Sequence, residues 1–280
     1  MQSSGLLFKT DSDTAASLYA SNATGNGPEF LSYVNSAIAY VGANKLLGED
    51  GAASLRQQVS DQLSSSLSDL VPTSSDAVKR GYEAIYKTTL DTIFPSEVGQ
   101  VEILLQLTSR GPDDTNVITI QAGVQHPFSH GRLYITSADP FANPVVDPQY
   151  FSHPADAVIL REGLKLVRKI AATDPLKAFI GDEIQPGPDV QSDEQWEAWV
   201  KQNAGTEYHP SSSCAMLPRD QGGVVDADLK VYGLGNVRVV DASVFPISVS
   251  AHVSISCSPS LWVLTRDRCS LASGARVRSR

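Results

Sequence analysis

The chain has 280 residues, of which 41% are hydrophobic and 19% charged, and its formal net charge is -9. That length supports one large or two small domains around a sizeable core, and the balance is that of a globular rather than a disordered protein. An acidic chain without a basic stripe excludes nucleic acid as a partner. No apolar run approaches the roughly 18 residues that would bring a membrane into play.

The opening residues, MQSSGLLFKTDSD, lack a charged stretch followed by an apolar one, so no signal peptide is visible and the compartment stays unknown. The first 95 residues read as mostly helical. Phe30, Leu31, Val34, Ile38 and Val41 recur at helical spacing, as do Leu55, Val59, Leu63 and Leu67. Asp76 precedes a third stripe of Val78, Tyr82, Ile85, Tyr86 and Ile93.

Near residue 100 the pattern changes. Residues 101–107 and 117–124 read as strands, with a third at 131–136, and the three could pair as an antiparallel sheet. Prolines make a loop of 139–148, and residues 154–173 follow as a strong helix. Ser192, with Gln195 three places on, opens a short helix over 192–203 through a capping box. Val237 to Asp241 reads as a buried strand that ends in an acid and exits into a loop at Ala242, Ser243 and Pro246.

Imidazole is the side chain best suited to take a proton near neutral pH. Of the five histidines, His126, His130 and His153 stand in prolyl contexts that read as structural. His209, in Glu207-Tyr208-His209-Pro210, and His252, in Ser250-Ala251-His252, flank the strand that ends at Asp241. They are either a pair sharing the work of one cavity or two satisfied loop residues. No G-x-S-x-G elbow supports a serine hydrolase. No metal-ligand cluster is expected, and Cys214, Cys257 and Cys269 are too irregular for a disulfide framework.

Several blocks in fixed order carry a resemblance. They are His126-Pro127-Phe128-Ser129-His130-Gly131, Tyr208 through Met216, Gly222-Gly223-Val224-Val225-Asp226, Asn236 through Pro246, and Ser250-Ala251-His252. Together they resemble the carboxy-terminal part of the glucose-methanol-choline (GMC) flavin oxidoreductases, most closely the fungal secondary-metabolite branch. The resemblance implies FAD as cofactor and a small-molecule alcohol as substrate. It implies that His209 takes the alcohol proton while hydride goes to the flavin, and that His252 orients substrate and flavin. It further implies that Asp241, Ala242 and Val253 approach the cofactor.

The resemblance implies an α+β chain. Residues 1–205 would be a substrate-binding domain, an antiparallel sheet covered by helices. Residues 206–253 would be the carboxy-terminal segment of an FAD-binding α/β domain, and 254–280 an atypical tail with five arginines against one aspartate. The family's G-x-G-x-x-G turn is not found; the nearest strings are Gly25-Asn26-Gly27 and Gly233-Leu234-Gly235. A truncated flavoprotein, partnered by a separate flavin domain or a second copy, is therefore the expectation. The alternatives are a non-redox cyclase on the same scaffold and a non-catalytic remnant.

Overall fold

The computed structural model describes residues 2–10, 37–71, 75–110 and 116–252. It is an α+β structure built on one antiparallel sheet. The strands are β1 (Gln2–Thr10), β2 (Ala37–Val41), β3 (Val101–Arg110), β4 (Asn116–Val124) and β7 (Ile180–Gln185), in the order β2-β3-β4-β1-β7. The short β8 (Gly205–Thr206) adds to β1. Among the described residues no helix is long and apolar enough to cross a membrane.

Side chains alternate across a sheet with period two, so one register sorts the whole molecule. Val101 and Ile103 of β3 stand opposite Val124 and Ala122 of β4, and Ile120 stands opposite Leu6 of β1. These residues are buried on one face. Helix α5 (Pro154–Ala171) covers it with Ile159, Leu160, Leu164 and Val167, all fully buried. The helix comes close because residue 163 is glycine. A Cβ there would meet Val101 Cγ1 at 3.1 Å and Ala122 Cβ at 3.2 Å. The opposite face carries the next residues along each strand: Tyr40 of β2, Glu102 of β3, Gly123 of β4 and Ser3 of β1 form one rung.

Four helices, α1 (Ala43–Leu47), α2 (Glu49–Asp61), α3 (Leu63–Asp69) and α4 (Asp76–Thr88), pack beside the sheet. Tyr86 of α4 donates its hydroxyl to the Val59 carbonyl at 2.6 Å and lies 3.0 Å from His153 Nε2. Because that hydroxyl proton is committed, His153 donates from Nε2. Its Nδ1 then accepts from the Ala155 N–H and caps α5. Asp156, fully buried in the first turn of α5, accepts from the backbone N–H groups of Phe128 and Ser129 at 2.8 and 2.9 Å. This pins the loop after β4. Helix α6 (Asp193–Asn203) has the expected capping box at Ser192 and Gln195, and its Trp196 lies under the Arg168 guanidinium, 4.3 Å from the ring centre.

Three expectations need correction. Helices predominate among the described residues up to 95, but β1 and β2, not expected as strands, belong to the central sheet. Gln2-Ser3-Ser4-Gly5 has weak strand character, and pairing with β4 along its length, and with β8 at Gln2 and Ser3, overrides it. Ile38 and Val41 sit in β2, not on a helix; residues 28–36 lie outside the described residues. The strand near 131–136 is β5 (Arg132–Tyr134), and it pairs with β6 (Val145–Asp147), inside the expected loop, as a separate hairpin. The Asp156 clamp turns the chain away from the sheet before β5 begins. Finally, Val237–Asp241 is not a buried strand. Val237 and Val240 are each 42% exposed, and one bridge, between Lys230 and Arg238, is the pairing there. A strand needs a neighbour, and after the Val239 N–H bond to the Leu229 carbonyl no ladder pairing among the described residues carries on through Val240 and Asp241. The tail 254–280 is outside the described residues.

Candidate active site

The site lies on the face of the sheet away from α5. The chain leaves β8 at Thr206, kinks at Tyr208 (φ 57°), and presents His209. A non-glycine residue in this left-handed conformation costs about 1 kcal/mol or more, and such strain concentrates where side-chain placement matters. Tyr208 itself points outward, 84% exposed.

The segment carrying His252 arrives from the other side and is anchored two residues earlier. Ser250 donates its hydroxyl to the Gly99 carbonyl at 2.8 Å. The same oxygen therefore accepts from His126 Nε2, also at 2.8 Å. Burial holds the His126 imidazole down at about 4, against a smaller opposing pull from the Ser248 backbone. His126 is thus a neutral strut that fixes the His252 segment to the sheet. His130 and His153 are likewise lowered to about 4 by burial. His126 and His130 stand four residues apart, but no helix carries them.

The rings of His209 and His252 meet edge to face, with centroids 4.9 Å apart. His252 Nε2 lies 2.8 Å from Glu102 Oε1. The His252 side chain is 24% exposed and Glu102 only 1%. Glu102 is thus a buried acid among Val101, Ile103, Leu104 and Leu105, and its Oε2 has no hydrogen-bond partner. Next to it on the rung, burial and then the charge of Glu102 push the Tyr40 phenol up to about 12, with the His252 backbone pulling the other way. Burial, then the neighbouring His252, lowers the His209 imidazole below its ordinary value. A base lowered in this way is unprotonated at neutral pH and free to accept a proton.

The other expected residues are placed differently. Asp241 is exposed, and its carboxylate accepts from the Ser243 N–H at 2.9 Å, capping the short turn Ala242–Val244. Two backbone hydrogen bonds, Cys214 N–H to the Ser243 carbonyl and Met216 N–H to the Val244 carbonyl, tie that turn to the segment after His209. Val253 lies outside the described residues. A cavity of about 800 Å3 is lined by Tyr208, Pro210 to Ser213 and Pro246 to Ser248, the two segments that carry the histidines, although neither imidazole lines it. Among the described residues no group of three His, Cys, Asp or Glu side chains is arranged to hold a metal ion.

Sequence reasoning missed Glu102, Tyr40 and Glu207. The signal for Glu102 was present: an acid among Val101, Ile103, Leu104 and Leu105 is costly to bury and asks for a partner. Tyr40 had no such signal, because its role depends on register with β3.

The α+β fold that carries the imidazole pair has counterparts among known proteins. The family model described as GMC oxidoreductase matches residues 127–258. Over that region the chain belongs to the GMC oxidoreductase family, as part of its carboxy-terminal portion. It is 49% identical over 223 residues to the GMC oxidoreductase family protein Mala s 12 of Malassezia sympodialis, covering 79% of this chain and 34% of that protein. It is 40% identical over 146 residues to the mitochondrial choline dehydrogenase of Mus musculus, covering 52% of this chain and 24% of that protein. The fold matches a fungal aryl-alcohol oxidase with a TM-score of 0.73 at 26% identity, over 91% of this chain and 44% of that one. The chain therefore spans about a third, or less, of the length of these curated relatives.

Proposed function

We propose that this chain is the substrate-side part of an FAD-dependent oxidoreductase that acts on the CH–OH group of a small alcohol. The observation that carries the reading is the meeting of His209 and His252 at 4.9 Å with Glu102 behind them. His209, kept neutral by its partial burial, takes the hydroxyl proton. His252, held through Nε2 by Glu102, orients the alcohol beside the base. FAD, when bound, supplies the acceptor for the hydride that leaves the carbinol carbon. The aryl-alcohol oxidase and choline dehydrogenase likenesses support an alcohol as substrate. The motif wording supports a place in fungal secondary metabolism.

The residues present fit one end of the cofactor. The two imidazoles, partly exposed and side by side, suit the edge of a flat heterocycle, and Asp241 and Ala242 would approach it from the neighbouring turn; Val253, expected to do so too, lies outside the described residues. A pyrophosphate wants backbone amides at a glycine-rich turn opening a helix. Among the described residues Gly233-Leu234-Gly235 is the nearest candidate, and it lies in an exposed loop with no helix after it. We therefore read residues 206–253 as the returning segment of a flavin domain whose dinucleotide-binding part is supplied from elsewhere, and residues 1–205 as the substrate domain. The small second core of Val225, Leu229 and Val244 supports that division.

The test is reconstitution. The chain, alone and mixed with the amino-terminal part of a GMC relative, is titrated with FAD, and anaerobic bleaching of the flavin by primary alcohols is followed. Bleaching that falls about a hundredfold or more in His209→Ala, at unchanged flavin content, supports the reading. Bleaching that is indifferent to His209 overturns it.

A further inference from the structure

Glu207 has no part in the mechanism above, yet it sits within it. Gly123 of β4 stands between Glu102 and Ser3 on the rung beneath the histidines, and its missing side chain leaves a notch. The Glu207 carboxylate fills that notch. A Cβ at residue 123 would lie 3.0 Å from Glu207 Oε2 and 3.3 Å from its Cδ. Oε2 is buried and has no hydrogen-bond partner, as is true of Glu102 Oε2. Directly opposed positions in such a ladder lie about 5 Å apart at Cβ, so the two acids are neighbours. A carboxylate is costly to bury without a partner, and Glu207 acts electrostatically on His209, favouring the charge that this imidazole acquires when it takes a proton.

The groups facing His209 come from several elements. His252 approaches from its own loop, Glu102 from β3 and Glu207 from two residues earlier in the same segment; Tyr40 of β2 stands behind Glu102. Burial, His252 and, least of all, the positive amino terminus weaken His209 as a base, whereas Glu207 and Glu102 strengthen it, Glu207 more than Glu102.

We propose that Glu207, seated in the Gly123 notch, is a positioning residue for the proposed base, its carboxylate offsetting the repulsion between the two imidazoles when His209 is protonated. The inference rests on the reading of His209 as the base, but it concerns this chain's own charges and is testable without flavin or substrate. The Tyr208 kink fits the same role. It falls past the end of β8, between Glu207 and His209, so that Glu207 reaches down to the sheet while His209 stays beside His252.

The experiment is an NMR titration of the His209 imidazole in the full chain, assigned by its loss in His209→Gln. In Glu207→Gln the midpoint falls by about half a pH unit, the order expected when one nearby charge is removed under water-like screening. Glu207→Asp restores part of the shift. Gly123→Ala, which keeps the charge but crowds it out of the notch, moves the midpoint the same way. Glu83→Gln, a surface acid on α4, leaves it in place. An unchanged His209 midpoint in Glu207→Gln and Gly123→Ala overturns the proposal, as does an equal shift in Glu83→Gln. The flavin reading fails by a different result, the absence of His209-dependent bleaching, so the two are told apart.

Discussion

Glu102 and His252 are 150 residues apart in the chain and 2.8 Å apart in space, joined through Oε1 and Nε2. The strand supplies a rigid acid and the loop supplies the imidazole. A loop residue that would otherwise turn freely about its side-chain bonds is given one orientation. Hydrogen bonds to charged groups contribute about 1.5–3 kcal/mol, so Glu102→Ala is expected to slow alcohol-driven flavin reduction about ten- to a hundredfold. Flavin affinity should change little. Stopped-flow reduction at saturating alcohol checks this, and a rate equal to that of the parent chain would show that His252 does not depend on the acid.

Stability should depend on pH through the buried histidines. His126, His130 and His153 are held near 4 by burial, against an ordinary value of 6.5. The unfolded chain therefore takes up protons at a higher pH than the folded one. Their contribution to stability is complete above about 6.5 and is lost as pH falls toward 4. Thermal melts from pH 8 to pH 4 should show a decline that steepens below about 6.5. In His126→Asn the decline should be shallower, and a parallel curve would contradict the assignment.

Gly163 sets how closely α5 lies on the sheet. A branched side chain there meets Val101 and Ala122, which are fully buried and cannot move aside. Gly163→Val is expected to cost about 1–3 kcal/mol despite the better backbone entropy of valine. Urea unfolding measures it, and a gain in stability would mean that the helix slides freely.

Tyr86→Phe removes a hydroxyl that serves both the Val59 carbonyl and His153 Nε2–H. Two buried groups lose their partner, so the cost should be about 1–3 kcal/mol, more than a surface hydroxyl would cost. The readout is the urea midpoint at pH 8, where His153 is neutral, and a change below a few tenths of a kcal/mol would show that water replaces the hydroxyl.

The elements legible in the sequence are those with a local cause. The Ser192–Gln195 box, the α5 stripe and the alternating strands β3 and β4 follow from neighbours within a turn or a pleat. β1 and β2 were hidden because their reason lies in pairing partners far along the chain, Val124 for Gln2 and Leu105 for Ala37. The same holds for the site. His209 and His252 were found through motif wording and the chemistry of imidazole, and the structure brings their rings together. Asp241 was read as the end of a buried strand and is an exposed turn cap instead. Glu207 and Tyr40 gain their surroundings from the rung that passes through Gly123, and no window of sequence shows a rung.

Alternation along β3 gives Glu102 a second consequence. Were the strand to slip by one residue against its neighbours, the acid would be driven under α5 and Ile103 would take its place beneath the imidazoles. A charged group sealed against Leu160 and Leu164 is a heavy penalty, whereas the aliphatic residues alone would tolerate the slip far better. The acid that steadies the histidine thus also proofreads the alignment of the strand, and a chain with a correctly assembled sheet has its site in place by the same act.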